Sequence, residues 1–373
     1  MEGLVTIKAQ CMCKAHTFSA SLPKSDLPLN ASCCHCTSCR RLTGSLYNPA
    51  VEWPNAFEDL SALRRYAFSQ HLDVYSCNTC SSQLFARGHN PSIAPYVTTG
   101  ALENIPDLVK YDNHMFIGDT IDGGLAPWLP KEEDGHPVQR WIGHRNSEEV
   151  PFDWPVTKSA SASKLNTGPS PSSTPFHCHC KGVRLSLRSA ADLEVDPAKE
   201  STSTCVDPKT LKFKACCDSC NSCRQHFGSD IIAWTFAPLT HINFSSEPES
   251  EPSQFPQSIV ELKEAVLSKT KDPRLGTLAV YNSSPEVERY SCSVCSASIF
   301  YAVYDREDMV DIAVGLLDHP DGARAEALLA WNYGLLGWAK DAAGGWREQL
   351  VATTKDSMKE WAQCMNENQN IVD

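Results

Sequence analysis

The sequence predicts a mainly β protein built from two tandem antiparallel units, with a helical insert in the second and a helix at the C-terminus. Three observations carry this. Fourteen of the 18 cysteines fall into one arrangement that occurs twice. The first copy runs Cys11-x-Cys13, Cys34-His35-Cys36-x-x-Cys39 and Cys77-x-x-Cys80; the second runs Cys178-x-Cys180, Cys217-x-x-Cys220-x-x-Cys223 and Cys292-x-x-Cys295. Between the copies lies a stretch without any apolar period. Around the cysteines, short runs of β-branched and aromatic residues are punctuated by Gly and Pro at close intervals.

In chain order, the first unit takes residues 1–145, with strands expected from Val5 to Lys8, Leu84 to Arg87 and Tyr96 to Thr99. Residues 146–175 read as a Ser/Pro-rich linker that cannot bury a core. The second unit takes residues 176–345, with strands from Val183 to Leu187, Ile231 to Phe236 and Ser298 to Tyr304. The units match outside their cysteines too. Cys39-Arg40-Arg41-Leu42-Thr43-Gly44-Ser45 answers Cys223-Arg224-Gln225-His226-Phe227-Gly228-Ser229, Tyr75-Ser76-Cys77 answers Tyr290-Ser291-Cys292, and Gly100-Ala101-Leu102 answers Gly315-Leu316-Leu317. The second unit carries an insertion in which the acidic run Glu247–Glu251 precedes a helix over Ser258–Lys269. Ser258 and Glu261 form its capping box, and Ile259, Leu262 and Val266 share one face. In the tail, residues 346–373, Leu350, Thr354, Met358, Trp361 and Met365 follow helical spacing and predict a docking helix.

Composition narrows the function. A net charge of −12 over 373 residues argues against nucleic acid as a partner, because neutralising phosphate needs clustered Lys and Arg. No apolar run reaches membrane-span length and the first residues show no signal-peptide pattern, so no membrane association and a cytoplasmic location are expected. In a reducing compartment, this many cysteines read as a metal framework.

Each copy holds seven cysteines, which is one tetrahedral four-thiolate site plus three thiolates. A Cys-x-Cys and a distant Cys-x-x-Cys meet when two tight turns come together, the way a structural zinc staples a small β domain. Cys11, Cys13, Cys77 and Cys80 are therefore grouped, as are Cys178, Cys180, Cys292 and Cys295. Cys34, Cys36 and Cys39 remain, with Cys217, Cys220 and Cys223 in the second unit. Three thiolates on one zinc leave a coordination position open, and the formal charge of such a centre suits a thiol better than water. A closed structural site, with His35 or a water as fourth ligand, is the competing reading. Arg40 and Arg41 follow directly and are placed to offset negative charge or hold a carboxylate of a bound molecule. Cys33, Cys205, Cys216 and Cys364 are expected as buried free thiols. His16, His71, His177 and His226 lie near the clusters but are not expected to be ligands or bases.

The run from Cys34 to Ser45, set between a Cys-x-Cys and a Cys-x-x-Cys, resembles the glutathione-dependent formaldehyde-activating enzyme family, which includes centromere protein V. The resemblance covers about residues 5–145 and 176–345, with Trp128 and Trp338 standing where that family places a late tryptophan. It implies an Mss4-like fold with zinc held by the outer four cysteines, and a second zinc on the middle three. It also implies a carbon–sulfur lyase that joins formaldehyde to the thiol of glutathione. Carried over, Cys34, Cys36 and Cys39, with Arg40 beside them, form the active site. Two departures stand out: Ser81 and Ser296 replace a glycine that the family often shows, and the second unit has Cys217-Asp218-Ser219-Cys220 in place of Cys-His-Cys. The expected partner is a small molecule, a glutathione adduct or another thiol adduct, with chemistry mainly in the first unit. A non-catalytic zinc-stabilised binding module, or a zinc enzyme of hydration or hydrolysis, is the alternative.

Overall fold

The computed structural model describes residues 3–90, 93–133, 136–152, 154–155, 171–193, 205–245 and 254–370. The expected acidic run Glu247–Glu251 and most of the Ser/Pro linker lie outside them. The ends of that linker do not behave as one. Val150 donates to the Arg140 carbonyl, and Ser173–His177 is already a strand.

Strands dominate, as the punctuated β pattern predicts. In the first unit eight of them form one sheet, in the order Gln139–Arg140, Val109–Met115, Leu29–Cys34, Asn48–Glu52, Tyr96–Thr98, Gln83–Gly88, Leu72–Ser76, Arg64–Ala67. In the second unit the path Lys212–Asp218, Ile232–Pro238, Met309–Ala313, Ser298–Val303, Val287–Cys292, Leu278–Ser284 repeats that order. Most pairs are antiparallel, but Leu29–Cys34 runs parallel to Val109–Met115, and Lys212–Asp218 runs parallel to Leu329–Gly337. The sequence reading missed these parallel pairs, because periodicity says nothing about which distant strand returns alongside. A separate hairpin, Leu4–Gln10 with Thr17–Pro23, presents the first Cys-x-Cys, and Ser173–His177 with Arg184–Arg188 presents its counterpart.

Two short helices went unforeseen: α1 at Thr37–Thr43 and α2 at Asn221–Phe227. Each starts on a cysteine, Cys36 or Cys220, whose sulfur accepts the backbone N–H three residues on. Each ends on a left-handed glycine, Gly44 or Gly228. Cysteine is not a usual cap, so the start signal was invisible. The insert helix α3, Ile259–Leu267, is capped by Ser258 as expected, with Ile259, Leu262 and Val266 buried. The C-terminal helix α4 spans Arg347–Asn370 and buries Leu350, Thr354 and Met358.

The two units pack face to face through reciprocal contacts, the pattern of a two-fold interface. Gly315 N–H donates to the Gly44 carbonyl, and Gly100 N–H donates to the Gly228 carbonyl. A side chain at Gly100 or Gly315 would overlap backbone of the opposite unit, so both positions demand glycine for close approach. Arg41 reaches the Gly315 carbonyl (3.1 Å) and Asp318 (3.2 Å), while Arg224 reaches the Gly100 carbonyl (2.6 Å). At the centre, Asp230 is fully buried and accepts from Thr99 Oγ1 (2.5 Å), Tyr111 OH (2.8 Å) and Arg347 Nε (2.7 Å). No helix among the described residues is long and apolar enough to cross a membrane.

Candidate metal centres

Hairpin turns bring the outer cysteines together. Cys11 and Cys13 sit 3.5 Å apart at sulfur, and Cys13 is 3.6 Å from Cys77. Cys178 and Cys180 are also 3.5 Å apart, and Cys180 is 3.4 Å from Cys292. Within each four-cysteine group all sulfurs lie within 4.8 Å of one another. A tetrahedral zinc with bonds of about 2.3 Å sets its sulfurs about 3.8 Å apart, so both groups fit that ion. Backbone N–H groups already point at the sulfurs, from His16 to Cys11 (3.3 Å) and from Val183 to Cys178 (3.3 Å). Each Cys-x-x-Cys turn is closed by a residue of positive φ, Ser81 (58°) and Ser296 (61°). Glycine would adopt this backbone without strain.

The middle group of the first unit holds Cys34, at the end of its strand, with Cys36 and Cys39 on the first turn of α1; their sulfurs are within 4.8 Å. All three are partly exposed. Hydrogen bonds from Cys34 and Cys39 hold the Cys36 thiol down to about 3, while Cys34 is pushed up to about 12 by its hydrogen bond with Cys36. Three sulfurs this close together are a donor set that fits a zinc with one position left over. His35 does not complete it. Strand alternation turns its ring inward, where Nε2 lies 2.9 Å from His114 Nδ1, and burial lowers its pKa to about 3.

For Arg40 and Arg41 the sequence offers two roles, offsetting negative charge or holding a bound carboxylate; Arg40 does interact with the Cys36 charge, while both guanidiniums are tied to protein partners. Both are buried. Arg40 donates to the His35 carbonyl (3.3 Å), Thr37 Oγ1 (3.2 Å) and the Asp119 carbonyl (3.2 Å), locking α1 onto its own unit, and Arg41 is spent on the opposite unit. One residue that sequence reasoning passed over does come close. His179, between two cysteines of the second unit, takes the Arg41 carbonyl on its N–H (2.9 Å), stacks on Phe68 (4.7 Å) and bonds Tyr66 OH (2.8 Å). Its proximity to the middle group depends on the unit interface, which leaves no local sequence signal.

The second middle group is Asp218, Cys220 and Cys223. Cys217 was expected there and is elsewhere. Cys220 and Cys36 both cap a helix, so Asp218 occupies the position of Cys34, and Cys217 that of Cys33. Register agrees, since Cys34 pairs with Met115 and Asp218 with Gly337. Cys33 and Cys217 are both fully buried on the inward face. The spacing is therefore unchanged between the units, and one ligand position has become a carboxylate. Beside it Arg289 places both terminal nitrogens 3.7 Å from Cys223 Sγ and one 3.0 Å from Ser222 Oγ.

The other singled-out residues lie apart. His226 is buried against Ser298 Oγ (3.0 Å), His16 bonds Asn78 (3.3 Å) and His177 its neighbour's carbonyl (3.0 Å). Exposed His71 contacts Gln70 (3.0 Å). Cys33, Cys205 and Cys216 are buried as expected, but Cys364 is exposed on α4. Trp128 is buried, whereas Trp338 is exposed with a left-handed backbone and is the counterpart of Phe116, each following its parallel strand. A cavity of about 640 Å³, lined by residues including Asp112, Arg140 and Phe152, involves none of the cysteine groups.

The fold and these groups define a mainly β protein with cysteine sets able to hold metal ions. Residues 6–119 match the sequence model of the glutathione-dependent formaldehyde-activating enzyme family. The matched span contains both cysteine groups of the first unit. No curated protein matches the chain.

Proposed function

We propose that the protein is a cytoplasmic zinc-dependent carbon–sulfur lyase that makes or breaks the bond between a thiol of the glutathione type and a small electrophile. The observation that carries this is the middle group of the first unit: three partly exposed sulfurs, within 4.8 Å of one another, with no fourth side-chain ligand in the group. Cys34, Cys36 and Cys39 would hold the ion. When bound, zinc supplies a position at which a thiol is taken up as its thiolate. The chain's own residues do the rest. Arg40 fixes the turn that carries Cys36 and Cys39 against Asp119. The buried His35–His114 contact ties the residue after Cys34 to the neighbouring strand. His179 comes from the second unit and packs on Tyr66 and Phe68 of the first, so the tandem arrangement shapes the surface beside the first site. Division into two units, the first extended past 145 to include the Val150 contact and the second starting with the strand Ser173–His177, followed by the tail 346–373, belongs to this proposal, as does their origin by duplication. A small-molecule partner, rather than nucleic acid or a membrane, fits the acidic charge and the size of the groups.

The test is exchange spectroscopy on glutathione with a panel of aldehydes. The zinc-loaded protein should accelerate interconversion of free thiol and adduct, Cys36→Ser should abolish the acceleration, and Cys220→Ser should retain it. Equal loss from both variants, with both folded, would place the chemistry elsewhere. No acceleration with any aldehyde would favour a zinc-stabilised binding module.

A further inference from the structure

The second middle group is built on a different charge logic from the first. In the first unit the position equivalent to Arg289 is Val74, as the registers Tyr66 with Val74 and Tyr281 with Arg289 show. The second unit has exchanged a thiol for a carboxylate and an apolar side chain for a guanidinium. Arg289 is 2 % exposed. Its two terminal nitrogens straddle Cys223 Sγ at 3.7 Å, its plane lies 5.0 Å from the Tyr301 ring, and its Nε has no partner. A cation is thus built into the group and packed in place. Asp218 Oδ1 accepts the Cys220 N–H at 2.9 Å. Beside the guanidinium stand two thiols three residues apart, one partly exposed and one 4 % exposed.

We infer that Cys220 and Cys223 form a metal-free dithiol, with Arg289 in the charge-balancing place of a metal ion, that exchanges with small-molecule disulfides. Cys220, the accessible sulfur, attacks one sulfur of a disulfide such as glutathione disulfide. The S–S electron pair leaves with the first thiol, and a mixed disulfide forms on Cys220. Cys223, whose backbone N–H already contacts Cys220 Sγ at 3.3 Å, then attacks Cys220 Sγ and displaces the second thiol. The protein pair gives up two electrons and two protons, and the small disulfide takes both and departs as two thiols. The exposed Trp338 follows Gly337, whose carbonyl holds both the N–H (3.0 Å) and the hydroxyl (3.1 Å) of Ser219. With Lys340 Nζ 5.4 Å from the Trp338 ring, this border offers an aromatic face and a cation to a peptide disulfide bearing carboxylates.

The test combines zinc analysis with thiol mapping of the full chain. The purified protein should hold about three zinc, one for each other cysteine group, and Cys220→Ser should leave that number unchanged. Exposure to glutathione disulfide, followed by alkylation and peptide mapping, should show a Cys220–Cys223 disulfide without zinc release. Cys223→Ser should trap glutathione on Cys220, and Arg289→Gln should slow the exchange by about tenfold or more. A zinc content near four that drops by one in Cys220→Ser would make the group a metal centre and overturn the inference. So would a Cys223→Ser protein that takes up no glutathione at Cys220, and this variant decides the matter if Arg289→Gln does not fold.

Discussion

Cys36 serves two ends at once: its sulfur joins the middle group, and it caps α1 by accepting the Cys39 N–H at 3.3 Å. Serine keeps an acceptor at that position. Cys36→Ser should therefore leave the circular dichroism spectrum and solubility unchanged while removing the proposed thiol-adduct exchange. Cys77 is fully buried within a four-cysteine staple whose metal affinity is folding free energy, so Cys77→Ser should cost soluble, zinc-loaded protein. An active Cys36→Ser protein, or a fully stable Cys77→Ser protein, would reverse these roles. Ser296 makes a different compromise. It accepts a left-handed backbone, which costs about 1–2 kcal/mol for a residue with a Cβ, and its hydroxyl bonds Ser76 (2.6 Å) and Arg64 (2.9 Å) of the other unit. Alanine keeps the strain and loses the bonds, whereas glycine loses the bonds but relieves the strain. In denaturant titration Ser296→Ala should be the less stable of the two variants, and the reverse order would refute the account.

Helix α3 shows how local rules operate even inside an insertion. Ser258 Oγ accepts the Glu261 N–H at 3.2 Å, and Glu261 reaches back to the Gln257 N–H at 2.8 Å. The apolar face then packs down, led by the fully buried Ile259 and Leu262. Ser258→Ala should destabilise the protein by about 1 kcal/mol, the usual cost of a lost cap. Unchanged stability would mean that packing alone holds the helix. The α1 and α2 helices follow another rule. They are too short to stand alone, and they exist because their first turns present cysteines and their last turns dock on the opposite unit.

At the scale of the molecule, the buried Asp230 joins three parts of the chain. It lies in the second unit, bonds Thr99 and Tyr111 of the first, and pairs with Arg347 at the start of α4. Arg347 also donates to the carbonyls of Thr99 and Leu102. Removing one partner of a buried ion pair leaves an uncompensated charge, at a cost of about 3–5 kcal/mol. Arg347→Met should lose that much in equilibrium unfolding and should loosen α4 in hydrogen exchange. A loss below about 1 kcal/mol, the range of a surface pair, would show that the network does not hold the units together.

Cysteine spacing by itself determined the pairing of hairpins into two four-sulfur groups and the mainly β class, because a tetrahedral ion and a two-residue strand period leave few other solutions. The capping box of α3 and the apolar face of α4 were equally legible, being local. Tertiary structure decided the rest. Whether Cys217 or Asp218 joins the second middle group depends on which face of a strand each takes, which only the register reveals. The burial of Arg40 and Arg41, the arrival of His179 beside the first group and the placement of Arg289 on Cys223 arise from contacts between residues 65 or more positions apart or on opposite units. No local pattern encodes such contacts, since their energy comes from surfaces that meet only once distant strands of a unit, or the two units themselves, have closed on each other.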